Sequence, residues 1–81
     1  MYNENRRNDL DIQADILRVA TSRGGALKTQ IVYEANLNFD IIKKYLKRLM
    51  SRGLLVLEGT RYFPTEKARI YIDTIEALYA L

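Results

Sequence analysis

Apolar residues recur at helical spacing through the first half of the chain and switch to a shorter, β-prone rhythm after Gly53. From Asp11 to Ala20, Ala14 and Leu17 lie with Leu10 on one side of a helix, while Ile12, Ile16 and Val19 lie on another. An apolar surface that wide predicts a first helix covered from two directions. Asn8 or Asp9 caps its start and Gly24-Gly25 ends it. A short second helix fits Lys28 to Ala35 with Ile31, Val32 and Ala35 facing inward, and Asn36-Leu37-Asn38 then breaks the period. Asn38 is a good N-cap for a third helix from Phe39 to Arg52, because Leu37 and Ile42 occupy the two positions of a hydrophobic staple. Gly53 is its expected C′ residue.

The second half predicts a β-hairpin followed by a last helix. Leu54-Leu55-Val56-Leu57-Glu58 is β-prone, Gly59-Thr60 is a turn signal, and Arg61-Tyr62-Phe63 is a second strand closed by Pro64. Thr65 then caps a helix from Glu66 to Leu81. The order α-α-α-β-β-α describes a mainly helical winged helix-turn-helix in one domain spanning residues 1–81. Residues 1–8 are expected to form a flexible, solvated arm carrying Arg6 and Arg7.

Projecting the third helix at about 100° per residue gathers Phe39, Ile41, Ile42, Tyr45, Leu46, Leu49 and Met50 on a core-facing arc. The opposite arc holds Lys43, Lys44, Lys47, Arg48 and Ser51 with the acid Asp40, and Arg52 lies at its edge. Composition sharpens what that face means. The 81 residues carry a formal charge of +3, and five cations share this one surface. A basic helix behind a capped turn and ahead of a hairpin is placed to enter the major groove of double-stranded DNA, where lysines neutralise phosphates. Further DNA contacts are expected from Lys28, Thr29 and Gln30 at the start of the second helix, from Asn38, and from Arg61 with Thr60 at the hairpin tip.

The chain has neither cysteine nor histidine, which excludes thiol nucleophiles, zinc fingers and imidazole acid-base chemistry. No nucleotide-binding glycine loop or nucleophile elbow is present, and Asp9, Asp11 and Asp15 read as helix-start electrostatics rather than a metal site. The expectation is a protein that is not an enzyme and needs no cofactor or metal. No apolar run approaches the length of a membrane span, and the polar N-terminus lacks a secretory core, so a cytoplasmic, nucleoid-associated location is expected.

The last helix carries two apolar faces. Ala68, Tyr71, Ile72, Ile75, Leu78 and Tyr79 form one, expected on the domain itself. Ile70, Thr74, Ala77 and Leu81 form a heptad-like seam nearly opposite. A homodimer is the expected partner of that seam, with Tyr71, Leu78 and Tyr79 or the first helix adding area.

The run from Gly24-Gly25-Ala26-Leu27-Lys28-Thr29 through Ala35-Asn36-Leu37-Asn38, Tyr45-Leu46 and Gly53-Leu54-Leu55 resembles the archaeal winged-helix regulators. These include small basic chromatin-associated proteins that dimerise through C-terminal helices. Tyr62 and Thr65-Glu66-Lys67 match the family's wing strand and last-helix start, while Ala68 stands where glycine is common. The resemblance implies DNA association as a transcriptional regulator or a compacting protein. A last helix reaching Leu81 implies a shorter dimer contact than the chromatin-type members make. The competing reading is a winged helix whose basic face meets an acidic protein partner.

Overall fold

The computed structural model describes residues 7–80. Helix α1 spans Asp9–Ser22, strand β1 Ala26–Leu27, α2 Lys28–Glu34, α3 Phe39–Ser51, β2 Leu55–Glu58, β3 Arg61–Pro64 and α4 Glu66–Tyr79. The three strands form one antiparallel sheet in the order β1-β3-β2. The winged helix-turn-helix expected from the pattern is therefore present, with one element added. Strand β1 pairs Ala26 with Tyr62 and Leu27 with Arg61, which makes β3 the central strand rather than one arm of an isolated hairpin.

Helices α1, α3 and α4 each start where the N-cap side-chain oxygen satisfies an otherwise unpaired amide. Asn8 Oδ1 accepts from the Asp11 amide at 2.8 Å, and Asp11 Oδ2 accepts from the Asn8 amide at 3.3 Å, a reciprocal capping box. Asn38 Oδ1 accepts from the Ile41 amide at 2.8 Å, and Thr65 Oγ1 accepts from the Ala68 amide at 3.3 Å. The turn between α2 and α3 depends on Asn36, whose φ of 55° lies in the left-handed region that asparagine tolerates better than most residues. That bend drives Leu37 back against the core as the staple requires.

Helix α1 is the keel of the fold. It touches α2, β3 and α4 and buries Gln13, Ala14, Ile16, Leu17, Val19 and Ala20, in line with its two-sided apolar pattern. Ile31, Ile42, Leu46, Leu49, Leu54 and Leu55 complete the core from α2, α3, β2 and the residue before it. Gln13 is the one buried polar residue among the described residues, and it ties three helices together. Its Oε1 accepts from Arg52 Nη1 at 3.0 Å and from the Tyr71 hydroxyl at 3.2 Å. At the end of α1, Gly25 takes φ +108°, and a Cβ there would stand 2.4 Å from the Phe63 ring. Glycine is thus required both by backbone conformation and by close approach of the central strand.

Several sequence expectations change in the fold. Phe39, assigned to the core arc, is 53% exposed, because it opens α3 ahead of the first buried turn and Leu37 already fills the space beneath. On α4 only Ala68 and Ile75 are fully buried, with Tyr71 and Ile72 half-buried against the core. Leu78 and Tyr79, expected on the domain face, are exposed, although the Tyr79 hydroxyl still reaches Asp11 Oδ1 at 2.7 Å.

Residues 7 and 8, assigned to a flexible arm, are engaged. Arg7 pairs with Asp15 at 2.5 Å and donates to the Asn36 carbonyl at 2.9 Å, while Asn8 caps α1. Arg6 and Leu81 lie outside the described residues. Among the described residues no helix is long and apolar enough to cross a membrane.

Candidate nucleic-acid interface

Helix α3 buries Ile42, Tyr45, Leu46 and Leu49 and thereby turns Lys43, Lys44, Lys47 and Ser51 outward. Between its exposed side, the start of α2 and strand β3 runs an open groove of about 600 Å³. Lys28, Lys43, Lys44 and Lys47 line it, with Asp40, Leu46, Met50 and Tyr62. The fold therefore brings four of the expected lysines, from two helices, onto one concave surface. Among the described residues every ion pair is made by an arginine, so these four ammonium groups enter none. Such a groove attracts a polyanion by position and by unneutralised charge.

The remaining expected residues divide by how far local contacts already engage them. Thr29 is exposed in the first turn of α2, beside the groove. Gln30 accepts from the Leu27 amide at 2.9 Å and Asn38 from the Ile41 amide, so each oxygen serves a helix start and each NH2 group is left as the donor. Ser51 is exposed, its hydroxyl bonded to the Arg48 carbonyl at 3.1 Å. Arg61 stands one residue inside the turn, opposite Glu58, and its guanidinium leans back to the Gly25 carbonyl at 3.4 Å. Thr60 is exposed at the tip itself.

Arg48 and Lys44 face a second neighbourhood that the sequence does not reveal. Asp9 at the start of α1 accepts from the buried Tyr45 hydroxyl and from Arg48 Nη1 at 3.3 Å. Arg48 Cζ lies 5.3 Å and Lys44 Nζ 5.7 Å from the Tyr45 ring centroid, close enough for cation–π attraction. The Tyr45 hydrogen bond, then Arg48 and Lys44, hold the Asp9 carboxyl below its ordinary value. Burial first, and the Asp9 carboxylate second, push the Tyr45 phenol up. The basic helix is thus asymmetric. Lys43 and Lys47 meet the open groove, whereas Arg48 is partly neutralised by an acid from another helix.

Two aromatic rings missed as site residues line a separate hollow with Thr29 and Asn38. Tyr33 is 88% exposed on α2, and Phe39 opens α3. Tyr33 could have been found, since it falls off the inward face set by Ile31, Val32 and Ala35. The expected dimer residues are mostly open: Ile70, Thr74, Ala77 and Leu78 are exposed, while Tyr71 packs on its own domain and Leu81 lies outside the described residues.

The comparisons with known proteins agree with this architecture. A winged helix-turn-helix family profile matches residues 6–81. No curated protein sequence matches the chain. Among solved structures, the crystal structure of Sso10a-2, a DNA-binding protein from Sulfolobus solfataricus, superposes with a TM-score of 0.79 at 31% identity, covering 91% of this chain and 80% of that one. The archaeal resemblance carried by the Gly24–Gly53 segment is borne out by that match, and the chain belongs to the winged helix-turn-helix family.

Proposed function

We propose that this protein binds double-stranded DNA by docking α3 in the major groove, and that it acts as a homodimeric transcriptional regulator or nucleoid-associated protein. The observation that carries the reading is the groove in which Lys28, Lys43, Lys44 and Lys47 converge around the single acid Asp40, none of the four in an ion pair among the described residues. Family membership and the likeness to a DNA-binding protein support it. Lysines suit phosphate contacts, which position a protein on the duplex and give modest sequence preference. Thr29, Gln30, Asn38, Ser51 and Arg61 supply further donors around the same surface, and Arg48 joins them when it leaves Asp9. The role is binding rather than catalysis, and a nucleoid location follows from it.

Dimerisation through α4 rests on apolar exposure. Ile70 at 60% and Leu78 at 56% stand open on the same helix, and Thr74 and Ala77 lie between them. A two-fold pair would present two basic helices to successive turns of the groove.

The test is the double variant Lys44→Glu and Lys47→Glu, with helical content checked by circular dichroism. Both side chains are exposed, so the fold is expected to persist while duplex affinity falls more than tenfold. Unchanged affinity would refute the placement of α3. Binding of an acidic protein partner, with no duplex binding by the unaltered chain, would favour the interaction-module reading instead.

A further inference from the structure

We infer that Phe39 reads thymine methyl groups, giving the lysine-dominated interface a preference for A·T pairs. The inference rests on the DNA-binding reading above and assigns it a specificity residue. Phe39 is the first residue of α3, and a recognition helix leads with its N-terminal residues toward base edges. The residue is 53% exposed even though the helix has a well-filled core beneath it.

The surroundings distinguish this ring from a stray surface apolar. Phe39 and Tyr33 flank a concavity of about 400 Å³, floored by Val32 and Leu37 and rimmed by Thr29 and Asn38. The concavity is separate from the lysine groove but is built from the same two helices, with Thr29 next to Lys28 and Phe39 next to Asp40 in the chain. The concavity is lined by no charged side chain, and Glu34, next to Tyr33 in the chain, is paired with Arg23. An apolar ring cannot serve a phosphate. In the major groove its complement is the thymine C5-methyl, the apolar group that distinguishes the A·T pair there. Tyr33, on the far rim, closes the same concavity and keeps the ring's apolar neighbourhood continuous.

The experiment compares short alternating dA-dT and dA-dU duplexes of equal length, which differ only in that methyl, by fluorescence anisotropy at fixed salt. The wild-type chain is expected to bind the dA-dU duplex about fourfold more weakly per contacted thymine, the equivalent of one buried CH2. Phe39→Ala is expected to bind both duplexes alike, at the wild-type dA-dU affinity. Introducing 5-methylcytosine into a G·C duplex is expected to raise wild-type but not variant affinity. Equal wild-type binding to dA-dT and dA-dU, or discrimination that survives in Phe39→Ala, would overturn the inference while leaving DNA binding intact. Failure of the wild-type chain to bind either duplex at low salt would overturn the underlying reading as well.

Discussion

Replacing Asp9 with asparagine removes the carboxylate that pairs with Arg48 and competes with DNA for it. Asparagine retains an oxygen for the Tyr45 hydroxyl but withdraws the charge that holds Arg48 at 3.3 Å. The released guanidinium then adds one phosphate contact per domain, which steepens the dependence of log affinity on log salt by about 0.9. Between about 50 and 200 mM salt the variant should therefore lose about 3.5-fold more affinity than the wild type loses. At the low end of that range it should bind more tightly, since a negative charge has left the interface. Anisotropy titrations of both proteins against one duplex across a salt series measure the effect. Thermal stability should change little, because the pair is solvent-exposed on the Asp9 side. An unchanged slope would show that Arg48 takes no phosphate when released. Weaker binding at every salt concentration would mean that Asp9 positions the helix instead of competing for it.

Three further outcomes follow from the fold and the site. Gly25→Ala must push aside the Phe63 ring and adopt φ +108°, so it should cost about 2–4 kcal/mol and lower Tm by more than about 10 °C in calorimetry. Asn38→Ala removes the cap of α3 and should cost about 1 kcal/mol by urea denaturation, with a loss of duplex affinity accompanying it. The Tyr45 phenol is raised in the folded chain, so its stabilising contribution is fully present below the ordinary tyrosine value of about 10 and lost as pH rises through the higher folded value. Melting curves on the alkaline side should consequently fall less steeply for Tyr45→Phe than for the wild type.

The helices were legible because their signals are local. Asn8, Asn38 and Thr65 each bond an amide three residues ahead, so the cap and the helix it starts are written in adjacent positions. The hairpin was equally readable, with Gly59-Thr60 falling between the paired residues Glu58 and Arg61. Strand β1 was not, because two residues have no period and its pairing partner lies far along the chain. Phe39 was misplaced because a helical projection treats every turn as equally packed, whereas the first turn here has no neighbour in front of it. For the site, the lysines of α3 followed from the period, and Lys28 from its place at a helix start. The restraint of Arg48 by Asp9 joins residues 39 positions apart and has no local signature. The same is true of Gln13, whose burial is justified only by Arg52 and Tyr71 arriving from two other helices.

In this reading four converging lysines make a phosphate-binding groove. Its most direct test is binding of the unaltered chain to a random-sequence duplex across a salt series, with the mass of the protein in solution recorded alongside. The expected log-log slope is about −3.6 per domain, about −0.9 for each of Lys28, Lys43, Lys44 and Lys47, and about twice that for a dimer. No binding at low salt, or an affinity indifferent to salt, would contradict it.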